Sequence, residues 1–148
     1  MSYSNVQEAP ATLEKVIYTA KVHTTGGRDG ASRSSDGRLD VKLTTPGSPS
    51  NGTNPEQLFA AGWSACFLSS IQLEAGKRKI ALPADRAIDA EVDLGTDSHG
   101  FGLQARLNVS LPGLDRDLAQ TLVDAAHERI CTYSRAIRGN VEVVINLV

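Results

Sequence analysis

The sequence predicts an α+β fold. Segments of period-two alternation lie near the start, in the middle and at the end of the chain. A long helix with no charge between Glu56 and Glu74 separates the first of them from the rest, and a second, amphipathic helix precedes the last. Strands, buried helix, strands, helix, strand is an α+β order, and 148 residues fit a single domain spanning the chain, 1–148.

In chain order, residues 1–11 read as a mobile tail. Val16, Tyr18, Ala20 and Val22 alternate with Ile17, Thr19 and Lys21, which predicts a strand. The glycine-rich run 26–30 is a turn, since its glycines permit positive φ. Ser35-Asp36-Gly37 is a second turn, Leu39, Val41 and Leu43 alternate as a strand, and 46–52 is a loop. Asn54 then caps a helix over 56–77, with Pro55 at its first position and Gln57 placed to reach back as in a capping box. Because this helix is apolar or small on nearly every side, it is expected to be buried on more than one face, between layers or between subunits. Residues 80–85 connect to two strands, 88–94 and 103–111, joined around 96–102. Asp115 caps the second helix, whose inner stripe is Leu118, Leu122, Ala125, Ala126 and Ile130. Residues 133–139 read as less regular, and Val141, Val143, Ile145 and Leu147 form the last strand.

Composition excludes several function classes. Net charge is −2 with Lys and Arg scattered singly, which argues against a nucleic-acid surface and against a membrane surface. The longest apolar stretch is broken by Gly62, Ser64, Ser69, Ser70 and Gln72, so no bilayer span is expected. Residues 1–10 have neither a basic start nor an apolar run, so no secretory signal is expected and the default location is cytoplasmic. In a reducing compartment the two cysteines are buried filler, metal ligands or working thiols rather than a permanent bridge.

Cys66 falls in the middle of the long helix and Cys131 at or just past the end of the second. A free cysteine taken alone is most often a small buried hydrophobe. Metal binding has little support: there is no Cys-x-x-Cys, and His23, His99 and His127 fall at no zinc-ligand spacing. His127 precedes Cys131 by four positions and could share its helix face, although a surface histidine is the commoner explanation. A working thiol needs a nearby cation to favour its thiolate. Arg28, in the glycine turn, is the best candidate, and Glu56 is the carboxylate that would orient its planar fork. Each has a plainer reading, Arg28 as a solvated turn residue and Glu56 as an acid at a helix start. Ten positions separate Glu56 from Cys66, about 15 Å of rise on one straight helix. Both cannot touch one small substrate from the same helix, so a homodimer with composite sites is expected, an antiparallel copy of the helix supplying the glutamate.

Four stretches resemble a known family: Thr25-Gly26-Gly27-Arg28-Asp29-Gly30, Asn54-Pro55-Glu56-Gln57-Leu58-Phe59-Ala60-Ala61-Gly62, Ala65-Cys66-Phe67 and the run from Cys131-Thr132-Tyr133-Ser134 through Arg135-Ala136-Ile137-Arg138-Gly139-Asn140. In order and spacing, from about Ile17 to Val148, they are similar to the organic hydroperoxide resistance proteins, the Ohr branch of the Ohr/OsmC peroxidase family. The resemblance implies an OsmC-like intertwined homodimer, its central buried helices sandwiched by β-sheets from both chains. It implies a thiol-dependent peroxidase in which Cys66 is the peroxidatic cysteine, Cys131 the resolving one, Arg28 the activator of the thiol and Glu56 the partner of that arginine. Thr132 departs from the Pro usual after the second cysteine, which bears on how fast the disulfide forms, since Pro would stiffen that turn and remove a donor.

The chemistry so implied begins with attack of the Cys66 thiolate on the terminal peroxide oxygen, giving a sulfenic acid and an alcohol. Arg28 stabilises the developing charge, and Cys131 then closes a Cys66–Cys131 disulfide with loss of water. Leu58, Phe59, Trp63 and Phe67 are expected to line an apolar site favouring alkyl, aryl or fatty-acid hydroperoxides over hydrogen peroxide. No tightly bound cofactor or metal is required, and the resemblance points to a dithiol reductant, the dihydrolipoyl group of a lipoylated protein. It also suggests that the Arg28 loop moves on oxidation. Two rivals remain at this stage: a cysteine hydrolase or acyltransferase using Cys66 with His127 as base, and a non-enzymatic lipid-binding or redox-sensing module.

Overall fold

The computed structural model describes residues 12–148; the tail expected over 1–11 lies outside them. Strands β1 (Val22–Thr25), β2 (Ala31–Ser34) and β3 (Asp40–Lys42) form an antiparallel sheet in the order β1-β2-β3. Helix α1 (Pro55–Lys77) follows, then β4 (Ala87–Asp97) and β5 (Gly100–Ser110). Helix α2 (Arg116–Ala125) runs into a π-helical turn (Ala126–Ile130), the short helix α3 (Thr132–Ile137) and β6 (Glu142–Leu147). The second sheet has the order β4-β5-β6, antiparallel between β4 and β5 and parallel between β5 and β6. The parallel step requires a crossover, and α2, the π-turn and α3 supply it.

The alternation over 16–22 yields a strand only from Val22 onward. Residues 12–21 form no ladder among the described residues, and Leu13, Val16, Ile17 and Tyr18 are exposed, Ile17 at 93%. Alternation supplies the propensity, but a strand also needs a partner; in the register of β1, residues 16–21 would face those after Ser34, where the chain turns, Gly37 N–H bonding the Ser34 carbonyl at 3.0 Å.

Helix α1 begins as its sequence dictates: the Asn54 side chain accepts from the Gln57 N–H at 2.8 Å, with Pro55 at the first position. The reciprocal half of the capping box is absent. Gln57 Oε1 accepts instead from the Thr53 hydroxyl at 2.8 Å, a donor adjacent to the cap that competes for the same oxygen. Trp63, Phe67, Ser70, Ile71, Glu74 and Ala75 make the buried face of α1. The opposite stripe of Ala61, Ala65, Ser69 and Leu73, spaced one turn apart, is exposed. Within one chain the helix is thus covered on one side.

The core packs that covered side against Ala105, Leu107 and Val109 of β5 and against Ala119, Leu122, Val123 and Ala126. Asp115 caps α2 as expected, accepting from the Leu118 N–H at 3.0 Å. The buried stripe includes Ala119 and Val123, while Leu118 and Ile130 are half-buried. The hairpin is longer than its sequence suggests. Pairing continues to Asp97↔Gly100, so most of 96–102 is ladder, and the turn closes with the Asp97 side chain accepting from the His99 N–H at 2.7 Å. Residues 133–139, read as irregular, contain α3; six residues are too few to show a helical period.

Phe67 is fully buried at the centre of this packing. Phe67→Ala is expected to destabilise the fold by about 3–5 kcal/mol, measured as a lowered midpoint in urea unfolding at unchanged slope.

Candidate active site

The two cysteines come together because α1 and the segment after α2 are packed in a fixed register. The Trp63 indole N–H, inside the core, donates to the Ser134 hydroxyl at 3.1 Å, tying α1 to α3. Cys66 lies three positions beyond Trp63 and Cys131 three before Ser134. The π-turn aims the second of these: the Cys131 N–H bonds the Ala126 carbonyl at 2.8 Å, five residues back, and Arg138 donates to the carbonyls of His127 and Glu128 at 2.7 and 3.3 Å. Cys131 then begins α3 as its cap, its sulfur accepting from the Ser134 N–H at 3.5 Å.

Both cysteines are free thiols, Cys66 half-buried and Cys131 buried. The Cys131 thiol donates to the Cys66 sulfur at 3.5 Å, and the Thr132 hydroxyl lies 3.3 Å from that same sulfur. A disulfide, with S–S of about 2.05 Å, requires only that the two sulfurs close by about 1.5 Å. Burial pushes the Cys66 thiol up, but the Thr132 hydroxyl, the Tyr133 backbone, the Cys131 thiol and the Thr132 backbone outweigh it. Cys66 therefore lies below the ordinary 9.0. Cys131 moves the other way: burial pushes it up, the Ser134 backbone and hydroxyl oppose this, and the adjacent Cys66 sulfur adds to the rise. One thiol is set up to ionise and the other to stay protonated as its donor.

Arg28 and Glu56 form a second pair. Arg28 is carried by a turn that only glycine can build at Gly30, where a Cβ would stand 1.7 Å from the Thr25 carbonyl oxygen. The neighbouring Asp29 carboxylate ties the turn down by accepting from the Thr45 N–H at 3.2 Å and its hydroxyl at 2.9 Å. The guanidinium meets Glu56 in a two-point fork, Nη1 to Oε2 at 2.9 Å and Nη2 to Oε1 at 2.6 Å. The hydrogen bond to Arg28 holds the Glu56 carboxyl below its usual value. Arg28 makes no hydrogen bond to Cys66, whose side-chain partners are Thr132 and Cys131. The four expected residues thus form two pairs within one chain rather than one cluster.

Of the four residues expected to form an apolar lining, Phe59 lines a cleft and Leu58 does not. Trp63 and Phe67 are fully buried core residues, because they fall on the covered face of α1. A cleft of about 340 Å³ lies instead beside the ion pair, lined by Arg28, Glu56, Phe59, Leu94, Phe101 and Leu103. Phe59 also meets Trp63 and Tyr133 edge-on, at 5.8 and 6.3 Å between ring centres. Tyr133 lies over α1 at Gly62, where a Cβ would stand 2.7 Å from its hydroxyl. The His127 ring packs on Phe67 at 6.3 Å, burial pushes its imidazole below the ordinary value, and no hydrogen bond joins it to either sulfur. Contacts of Thr132 with the Cys66 sulfur, of Ser134 with Trp63 and of Arg138 with the π-turn were not expected from the sequence, which marked Thr132 only for its effect on disulfide formation. No spacing rule reports the contacts of the other two.

Residues 45–146 match the OsmC-like protein family. Over 141 residues the chain is 48% identical to the organic hydroperoxide resistance protein of Xanthomonas axonopodis pv. citri, covering 93% of this chain and 99% of that one. It is 44% identical over 136 residues to organic hydroperoxide resistance protein OhrB of Bacillus subtilis, covering 88% and 98%. The crystal structure of that OhrB superposes with a TM-score of 0.84 at 43% identity, covering 90% of this chain and all, 100%, of the other.

The opposite shifts of the two thiols predict unequal reactivity. Iodoacetamide at pH 8 should alkylate Cys66 at least about tenfold faster than Cys131, read by peptide mass spectrometry; equal rates would show that the asymmetry is absent.

Proposed function

The chain belongs to the organic hydroperoxide resistance proteins of the OsmC-like family, and from that premise we propose that it is a thiol-dependent peroxidase reducing organic hydroperoxides through Cys66 and Cys131. The observation that carries the reading is the thiol pair itself, two free sulfurs 3.5 Å apart with the half-exposed one poised to ionise. The Cys66 thiolate attacks the terminal oxygen of R–O–O–H. A sulfur–oxygen bond forms as the O–O bond breaks, and the alkoxide leaves as the alcohol after taking a proton from solvent. Cys131 then attacks the sulfenic sulfur, water leaves, and the disulfide remains. A dithiol, with a lipoyl group as the favoured candidate, returns both thiols.

The Arg28–Glu56 pair enters this scheme from a second copy of the chain. Three features support a homodimer: Glu56 and Cys66 stand about 15 Å apart along one helix, Arg28 is committed to Glu56 rather than to the thiol, and α1 leaves Ala61, Ala65, Ser69 and Leu73 uncovered. Ile17 and Tyr18, at 93% and 76% exposure, offer further apolar surface and an unpaired alternating segment for the same contact. Brought to a neighbour's thiol, Arg28 would stabilise the charge that develops across the breaking O–O bond. Its cleft, walled by Phe59, Leu94, Phe101 and Leu103, suits the alkyl or aryl end of a hydroperoxide and offers hydrogen peroxide nothing comparable. No described helix is long and apolar enough to cross a membrane, and a reducing cytoplasm is the setting in which two cysteines serve as working thiols rather than as a permanent bridge. The hydrolase alternative needs His127 at a sulfur, and its ring lies on Phe67 instead.

Turnover of cumene hydroperoxide with dihydrolipoamide should be fast and that of hydrogen peroxide much slower. Cys66→Ser should abolish it, while Cys131→Ser should complete one oxidation and then stop; Cys131→Ser cycling at the unsubstituted rate would remove Cys131 from the resolving role. Sedimentation at micromolar concentration should show a dimer, and an active monomer would end the composite-site proposal.

A further inference from the structure

The Thr132 hydroxyl touches the reacting sulfur and makes no other hydrogen bond among the described residues. Its Oγ1 lies 3.3 Å from Cys66 Sγ, while the neighbouring residue brings Cys131 Sγ to 3.5 Å from the same atom. The two residues differ in burial, Thr132 being exposed and Cys131 buried. The backbone makes this convergence possible: Cys131 is extended, at φ −65° and ψ 118°, and the helical path begins at Thr132. A thiolate can only accept hydrogen bonds, so once Cys66 ionises the hydroxyl must be the donor. Cys131 is the titratable side chain in contact with the sulfur, and no charged side chain among the described residues is hydrogen-bonded to it.

We propose that Thr132 is a catalytic residue whose hydroxyl donates a hydrogen bond to the Cys66 thiolate and holds that sulfur ready for attack on the peroxide. The proposal rests on the peroxidase reading above and adds to it a donor from within the same chain, where Arg28 is engaged with Glu56. The hydroxyl keeps its proton throughout. Sulfur supplies the electron pair that forms the S–O bond, the O–O bond breaks, and the departing alkoxide takes its proton from solvent. When Cys131 turns from donor to nucleophile, its hydrogen bond to Cys66 is lost and that of Thr132 is not. The site then keeps one fixed donor on the peroxidatic side through both steps. Burial opposes ionisation of Cys66, and Thr132 is the foremost of the groups that offset it.

Thr132→Val keeps the shape and the backbone N–H and removes only the hydroxyl; Thr132→Ser keeps the hydroxyl. Two readouts separate the contact from the overall reaction. The first is the pH dependence of iodoacetamide alkylation at Cys66, followed by peptide mass spectrometry. The second is single-turnover oxidation by cumene hydroperoxide. Loss of a hydrogen bond to a charged group should move the alkylation inflection up by about one pH unit in Thr132→Val. Below the inflection the thiolate fraction then falls about tenfold while its nucleophilicity partly recovers, so oxidation at such a pH should slow about threefold. Thr132→Ser should restore both. A Thr132→Val profile that superimposes on that of the unsubstituted protein overturns the proposal, as does a Thr132→Ser shift as large as that of Thr132→Val. Alkylation involves no peroxide, so it decides the contact by itself. Failure of the unsubstituted protein to be oxidised by cumene hydroperoxide would overturn the peroxidase reading, and with it the catalytic role, while the alkylation shift would still show the hydrogen bond.

Discussion

The buried hydrogen bond from the Trp63 indole to the Ser134 hydroxyl is the constraint on which the thiol geometry depends. It joins two elements 71 positions apart in sequence at a distance of 3.1 Å. Each partner lies about one helical turn from a cysteine. Because both groups are excluded from water, losing either would strand the other at a cost of about 1–3 kcal/mol. An apolar contact at the same place would tolerate sliding by a fraction of an ångström. A directional bond between an indole and a hydroxyl does not, and sulfurs that must close by about 1.5 Å need that precision. The π-turn completes the arrangement, since its five-residue bond and the Arg138 clasp on two carbonyls set the direction from which Cys131 arrives.

The site separates its electrostatic tasks. Ordinary hydrogen-bond donors gather at Cys66, and the strongest permanent cation of the site, Arg28, is locked in a two-point pair with Glu56. A guanidinium left free beside the thiol would keep it ionised and reactive toward many electrophiles. Confining Arg28 to a glycine-built turn, anchored by Asp29 on Thr45, gives the cation a defined position on its own apolar cleft. The donors at Cys66 and the arginine thus reside on different elements, which is the physical basis for the proposal of two chains per site.

Much of this was legible in the sequence. Asn54 and Asp115 announced their helices, because a cap followed by a prolonged apolar pattern has few other readings. Chemistry alone made the two cysteines, Arg28 and Glu56 candidates with plainer readings beside them, and the family resemblance supplied their expected roles. What escaped was whatever depends on a partner element. The alternation of 16–22 indicates a strand but not whether a partner is available. Trp63 and Phe67 look like candidates for a binding surface until the covered face of α1 is known. Helix α3 is too short for periodicity, and the π-turn looks like ordinary helix in sequence, so residue spacing leaves open the side from which Cys131 reaches Cys66. The Gln57 half of the capping box failed for a local reason, the nearby Thr53 hydroxyl.

The unequal burial of the two sulfurs has a consequence for regeneration. Cys131 is 1% exposed, whereas Cys66 is half-buried and opens to the surface beside Thr132. In the proposed disulfide an incoming reductant therefore has one sulfur to strike, that of Cys66, and Cys131 must depart as the leaving group. A thiol whose burial disfavours its anion departs slowly. Regiochemistry is thus fixed by access, while the leaving group makes the first exchange easy to reverse. A monothiol would be expelled again by Cys131 from the mixed disulfide. A reductant carrying a second thiol would escape this by closing its own ring before Cys131 returns, so the proposed disulfide would favour dithiols on kinetic grounds.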